Sequence, residues 1–216
     1  MSAPAVKICG LTRLEDATAA AAAGADFLGM IASRGFGRSA PVFLGPAMTR
    51  ATGLPVVAVV VNEPLDQVVS LGGETGAAVL QLHGDETPEM LQALRAQGPW
   101  KLWKGLRVRT SGEVEAALRE FGPVADGILL DGWHPEHRGG SGVRFPWDVV
   151  EPLRGRFPKG VDFIAAGGLT PANVAEAVTR LRPQVVDVSS GVEAAPGVKD
   201  PAMVRSFVEN AKGEGT

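Results

Sequence analysis

Cys9, the only cysteine, and Asp131 form a candidate acid–base pair. Cys9 closes the run Val6-Lys7-Ile8-Cys9, which reads as a short strand running into the turn Gly10-Leu11-Thr12. Asp131 closes Gly127-Ile128-Leu129-Leu130-Asp131 in the same way. If both strands belong to one parallel barrel, a thiol and a carboxyl face each other across its C-terminal mouth as base and acid. Their reference pKa values pose the problem: a thiol near ~8.5 is about 3% thiolate at pH 7, and a carboxyl near ~3.9 about 0.1% protonated. The site must lower the first, raise the second, or work with a small active fraction. Burial raises a carboxyl pKa, and a positive neighbour lowers that of a thiol. Lys7 is expected to point to the face away from Cys9, which leaves Arg38 as the expected positive charge beside the thiol.

A second chemistry is anion binding. The runs Ala165-Ala166-Gly167-Gly168-Leu169 and Asp187-Val188-Ser189-Ser190-Gly191 each end a strand in small residues. Glycine lets backbone N–H groups approach an anion closely, and a following helix N-terminus adds positive potential. In a barrel, the loops after strands 7 and 8 are the usual phosphate cradle. Tight turns are the plain alternative for each loop, as a small buried apolar residue is for Cys9 and a turn cap for Asp131. His83 either lines the site or satisfies a core hydrogen bond, and Asp187 either orients a loop or contacts substrate. His134 and His137 do not read as a zinc site, having no cysteine ligand nearby. Residues 133–138 read instead as a flexible lid hinged on Gly139–Gly142.

The elements that must position these groups follow from periodicity. Apolar runs alternate with helical segments. The expected strands are Val6–Cys9, Phe27–Ile31, Val56–Val61, Ala78–Leu82, Lys101–Leu106, Gly127–Asp131, Asp162–Ala165 and Val185–Ser189. Val56-Val57-Ala58-Val59-Val60-Val61 is apolar without alternation, as in a parallel sheet buried on both faces. The expected helices are Leu14–Ala23, Pro46–Thr52, Leu65–Leu71, Pro88–Gln97, Gly112–Phe121, Trp147–Leu153, Pro171–Leu181 and Pro201–Ala211. Thr12 is a candidate cap for the first. Pro88, Pro171 and Pro201 mark first helical residues behind Thr87, Thr170 and Asp200. Eight β-then-α units make a (β/α)8 TIM barrel, expected as a single domain over 1–216. Trp100 and Trp103 are expected between helices and barrel, and the tail 212–216 is expected to fray.

Composition narrows the partners. A net charge of −3 over 216 residues gives no footprint for nucleic acid or an anionic membrane. No apolar stretch approaches the roughly 20 residues of a membrane span. One cysteine makes no intrachain disulfide, and no signal-peptide pattern opens the chain, so a cytoplasmic protein is expected.

From Val6 to about Asp200 the chain resembles the phosphoribosylanthranilate isomerase family. The resemblance rests on Lys7-Ile8-Cys9-Gly10-Leu11-Thr12, Gly24-Ala25-Asp26 leading to Arg38, Gln81-Leu82-His83-Gly84 and Leu129-Leu130-Asp131. It continues through Gly139-Gly140-Ser141-Gly142 with Phe145 and Trp147, Ala166-Gly167-Gly168-Leu169 with Asn173, and Ser189-Ser190-Gly191-Val192-Glu193 with Pro196–Asp200. The pair before Arg38 is Phe36-Gly37, where the family usually carries Ser-Pro or Ser-Lys. The resemblance implies an Amadori rearrangement of phosphoribosyl anthranilate in tryptophan biosynthesis, without cofactor or metal, in a monomer or homodimer. It implies Cys9 as base and Asp131 as acid. Arg38 would receive the anthranilate carboxylate; His83, Gly167, Gly168, Ser189, Ser190 and Gly191 would bind the remainder of the substrate.

Three rivals stand beside this reading. Indole-3-glycerol-phosphate synthase relies on a lysine and a glutamate at strand ends, where this chain has Cys9 and Asp131. A bifunctional aldosamine isomerase of histidine and tryptophan synthesis usually has aspartate at the position of Cys9. A non-catalytic phosphometabolite-binding barrel would need neither group.

Overall fold

The computed structural model describes residues 3–132 and 147–213. Eight parallel strands close into a barrel in sequence order: β1 (Ala5–Ile8), β2 (Phe27–Ile31), β3 (Val56–Val60), β4 (Val79–Leu82), β5 (Lys101–Val108), β6 (Gly127–Gly132), β7 (Asp162–Ala165) and β8 (Val185–Val188). β8 pairs back onto β1, with Lys7 opposite Asp187. The expected strands agree with these to within two residues. The expected lid at 133–138 and its hinge at 139–142 lie outside the described residues.

The helices are α1 (Leu14–Ala22), α2 (Leu44–Thr52), α3 (Leu65–Glu74), α4 (Pro88–Arg95), α5 (Ser111–Phe121), α6 (Trp147–Val150), α7 (Val174–Leu181) and α8 (Pro201–Lys212). A 3-10 segment, Glu151–Arg156, extends α6. The Thr87 and Asp200 caps form as expected, each accepting backbone N–H groups ahead of a first-turn proline. Two other caps do not. Thr12 donates its hydroxyl to Gly197 O at 2.6 Å and leaves α1 without a side-chain cap. α7 begins at Val174 rather than Pro171, because Asn173 folds back to accept from Thr170 N at 2.8 Å. Lys212 closes α8 with its ammonium on Gly24 O at 2.7 Å, so the frayed tail does not include it.

Alternation divides each strand between two cores. Outward residues such as Val6, Ile8, Leu28, Met30, Ile128 and Leu130 pack under the helices. Inward residues Val57, Val79, Trp103, Leu129, Ile164, Ala166 and Val185 form a separate apolar plug inside the barrel. Trp103 therefore fills the barrel interior, edge-on to Phe27 at 5.2 Å, rather than the helix layer. Trp100 does pack outside, where its ring would lie 2.7 Å from a β-carbon on Gly72 of α3.

Because all eight strands run the same way, the next inward residue on each lies closer to the mouth. Above the plug come Lys7 then Cys9 on β1, Gln81 then His83 on β4, Asp131 on β6, and Asp187 then Ser189 on β8. The plug is thus the floor of a polar chamber. The loop under His83 is pinned by a buried pair, Lys104 Nζ on Glu86 at 2.9 Å, with Lys104 also donating to Gly84 O at 2.7 Å.

Candidate active site

Cys9 follows β1 directly and is locked by its own N–H on Val188 O at 2.8 Å. It is 8% exposed, and Lys7 two residues before it is fully buried. Positions 7 and 9 are an even step apart on one strand, so both point into the barrel. This corrects the expectation that Lys7 faces away: the pleat was miscounted, and the signal was present in the sequence. A β-carbon at Gly29 of β2 would lie 2.9 Å from both Cys9 Sγ and Lys7 Cε, so only glycine there leaves room for the pair. Lys7 Nζ donates to Asp187 Oδ1 at 2.9 Å, which assigns Asp187 the role of counter-ion on the neighbouring strand.

Burial pushes the Cys9 thiol up from its ordinary value. The Lys7 ammonium opposes that rise, Asp187 adds to it, and Lys199 opposes it more weakly. Lys7 itself is held above its ordinary value: burial would lower it, but Asp187 and Cys9 outweigh burial. Burial thus favours the protonated thiol, and the Lys7 ammonium is in place to stabilise the thiolate when it forms.

Asp131 ends β6 and is also 8% exposed. Its Oδ1 accepts from Gly132 N at 2.7 Å, and its Oδ2 stands 3.5 Å from His83 Nε2. Gln81 Nε2 lies 2.8 Å from His83 Nδ1. An amide nitrogen only donates, so Nδ1 accepts and the ring proton sits on Nε2, toward Asp131. Gln81 Oε1 and His83 Nε2 are buried without a hydrogen-bond partner among the described residues, a pattern that suits a chamber built to receive polar substrate atoms.

Gly167 does more than turn the chain after β7. A β-carbon there would fall 2.5 Å from Asp131 Oδ1 and 2.3 Å from Gly132 N, so a side chain would displace the carboxylate. Gly167 and Gly168 both take positive φ, 78° and 66°. A β-carbon at Gly191 would lie 1.9 Å from Leu169 O, so the loops after β7 and β8 touch backbone to backbone. Ser190–Val192 form a short 3-10 turn. The N–H groups of Gly168, Ser190 and Gly191 have no protein acceptor among the described residues and remain available to an anion.

Arg38, in the loop after β2, leans on Gly10 and holds Glu193 in a fork: Nε to Oε1 at 2.8 Å and Nη2 to Oε2 at 2.7 Å. Lys199 Nζ donates to the same carboxylate at 2.8 Å and to Ser189 O at 3.1 Å. Glu193 and Lys199 belong to a small antiparallel pair, β9 (Glu193–Ala195) and β10 (Val198–Lys199), which the strand reading missed. The Pro196-Gly197 between them is a turn signal that pointed to it. The site thus brings Cys9, Asp131, Arg38 and His83 to one end of the barrel with both glycine loops. Among the described residues no group of three His, Cys, Asp or Glu side chains is arranged to hold a metal ion. No helix among them is long and apolar enough to cross a membrane.

Comparison with known proteins agrees with this geometry. The family model for N-(5'-phosphoribosyl)anthranilate isomerase matches residues 6–210. A relative of that name from Myxococcus xanthus is 43% identical over 221 residues, covering 96% of this chain and 95% of the relative. A structure of monomers generated from the dimeric Thermotoga maritima phosphoribosylanthranilate isomerase superposes with a TM-score of 0.85 at 33% identity, covering 97% of this chain and 99% of that one. A phosphoribosyl anthranilate isomerase in complex with reduced 1-(o-carboxyphenylamino)-1-deoxyribulose 5-phosphate superposes with a TM-score of 0.84 at 32% identity, with the same coverage.

Proposed function

The chain belongs to the N-(5'-phosphoribosyl)anthranilate isomerase family, and we propose that Cys9 is the base and Asp131 the acid of that isomerisation. The reaction is the Amadori rearrangement of N-(5-phosphoribosyl)anthranilate to 1-(2-carboxyphenylamino)-1-deoxyribulose 5-phosphate, in tryptophan biosynthesis. The Asp131 carboxyl gives its proton to the furanose ring oxygen as the C1′–O bond breaks. The anthranilate nitrogen lone pair moves in to form the Schiff base. The Cys9 thiolate then takes the C2′ proton, and the freed electron pair makes the C1′–C2′ double bond of the enolamine. Proton loss from the C2′ hydroxyl and proton gain at C1′ give the ketone. Electrons balance within the substrate.

The observation that carries this reading is the pairing of a thiol beside a buried ammonium with a carboxylate beside an imidazole, at one barrel mouth. The 5-phosphate fits the Gly167-Gly168 and Ser189-Ser190-Gly191 loops, and the anthranilate carboxylate fits Arg38, whose planar guanidinium matches a planar anion. The residues act in one domain spanning the chain, in the cytoplasm, as a monomer or as a homodimer of the kind named for the Thermotoga maritima relative. Nucleic acid is no partner in this reading, consistent with a net charge of −3.

The test is turnover. With phosphoribosyl anthranilate generated in situ, the purified protein should remove the substrate's fluorescence faster than spontaneous decay, and Cys9→Ala should abolish the difference. No turnover, with the reduced product analogue still bound, would overturn the reading in favour of a binding barrel.

A further inference from the structure

Glu193 lies between two parts of the chamber that meet opposite ends of the substrate. One oxygen takes Arg38 Nε and Lys199 Nζ, and the other takes Arg38 Nη2. Lys199 in turn grips Ser189 O, at the entrance to the Ser190–Val192 turn. The arm of Arg38 and the hydroxyl of Ser189 rest on the same spot next to the thiol: a β-carbon at Gly10 would lie 2.8 Å from Arg38 Cδ and 2.7 Å from Ser189 Oγ. The Glu193 and Lys199 side chains are nearly sealed, at 5% and 1% exposure, whereas that of Arg38 keeps 20%.

The electrostatics favour the charged forms of Glu193 and Arg38. Arg38 and Lys199 overcome burial and hold the Glu193 carboxyl below its ordinary value, and Glu193 holds Arg38 above its own. Burial lowers Lys199 more than Glu193 raises it. Arg38 and Lys199 flank the one carboxylate, and of the two the guanidinium is the more exposed. Glu193 occupies only the Nε–Nη2 edge of the guanidinium. Arg38 Nη1 has no protein partner among the described residues, so the outer Nη1–Nη2 edge is left for a second planar carboxylate.

We infer that Glu193 is a positioning residue that couples the two anion-binding ends of the site, aiming the outer edge of Arg38 at the substrate's aryl carboxylate and, through Lys199, fixing the phosphate loop at Ser189. This inference rests on the proposed isomerase reading. It gives the carboxylate of the substrate a specific role: an aminosugar phosphate lacking it forfeits the aimed edge of Arg38.

The test is a double-mutant cycle on the full chain. Glu193→Gln should raise KM for phosphoribosyl anthranilate roughly 10- to 100-fold, the range of charge-assisted hydrogen bonds, while kcat stays within about threefold. It should also weaken competitive inhibition by inorganic phosphate. Arg38→Met should raise KM without changing inhibition by inorganic phosphate. In the Arg38→Met background the Glu193→Gln effect on KM should shrink to its phosphate part. Glu193→Asp keeps the charge but is too short to reach both cations, so it should show the same split at smaller size; it decides the matter if Glu193→Gln does not fold. Unchanged KM and phosphate inhibition in both Glu193 variants, or fully additive effects with Arg38→Met, would overturn the coupling. Failure of the wild-type protein to turn over substrate strikes the isomerase reading instead, and the cycle is then read by calorimetry with inorganic phosphate and the reduced product analogue.

Discussion

The two sides of the barrel mouth solve opposite problems with different partners. On the β8–β1–β2 side the proposed base is a thiol, and it shares its chamber with a buried ion pair, Lys7 with Asp187. On the β4–β6–β7 side the proposed acid is a carboxyl. The groups that touch it are a backbone N–H and an imidazole, itself set by the amide of Gln81. In the proposed reaction the thiol must become an anion inside a protein, which burial opposes, and its neighbour is a cation. In the proposed reaction the carboxyl passes a proton to a substrate oxygen, and it is oriented by the Gly132 N–H with the His83 ring beside it. A base is tuned here by charge, an acid by direction.

The largest effects should come from removing either reactive group. Cys9→Ala and Asp131→Asn should each lower kcat by on the order of 10²–10⁴, the usual range for general acid–base residues. Both variants should keep the fold, checked by circular dichroism, because neither leaves a buried charge unpaired. Near wild-type turnover in one variant alone would break the comparison by showing that its side of the mouth is not chemical.

Lys7→Met should come next, and it tests whether charge is what tunes the base. Without the ammonium, burial and Asp187 both push the Cys9 thiol further up, so the rise of kcat/KM with pH should move to higher pH. Activity at pH 7 should fall roughly 10- to 100-fold, since each pH unit of displacement is a factor of ten in thiolate. The variant should also lose roughly 3–5 kcal/mol of stability, the cost of stranding one partner of a buried pair. Lys7→Met with Asp187→Leu should recover much of that stability but only part of the base, since the upward push of Asp187 on the thiol goes with it. An unmoved pH profile in Lys7→Met would show that the ion pair serves the barrel alone.

The carboxyl side should respond more gently. Gln81→Leu frees His83 Nδ1 to carry the ring proton and turns an acceptor toward Asp131. It should lower kcat by about tenfold or less, without moving the alkaline rise that belongs to Cys9. A shift of that rise would mean that the two sides of the mouth are not independent.

How much of this was legible depends on range. The eight strands were visible because apolar runs such as Val56–Val60 are buried on both faces of a closed parallel sheet. Thr87 and Asp200 were visible because a cap and a first-turn proline are local. Thr12 and Thr170 mislead for the converse reason: Gly197, 185 residues from Thr12, takes its hydroxyl, and Asn173 accepts from Thr170 N before α7 starts at Val174. Trp103 is expected between helices and barrel, but closure of the barrel turns its face of β5 inward, onto Phe27 and the interior plug. Lys7 was the costlier miss, since counting two residues from Cys9 sufficed. Arg38 and Glu193, separated by 155 positions, carried no local signal; only closure of the barrel brings them together.

The smallest effect distinguishes a tuned thiol from a merely buried one through stability. The folded state holds the Cys9 proton above the thiol's ordinary value. Above about pH 8.5 the unfolded chain therefore releases that proton while the folded chain keeps it. Stability falls with pH wherever the folded state binds more protons, so the contribution is complete below the ordinary thiol value and is lost as pH climbs through the raised one. Denaturant melts of the wild type between about pH 8.5 and 9.5 should show an extra downward slope of at most about 1.4 kcal/mol per pH unit, absent in Cys9→Ala. Parallel slopes would mean that Lys7 fully cancels the burial of Cys9. The thiol would then titrate as in water because the ammonium offsets its burial, and the downward slope should reappear in Lys7→Met; slopes still parallel there would break the contrast between the charged and the oriented side of the mouth.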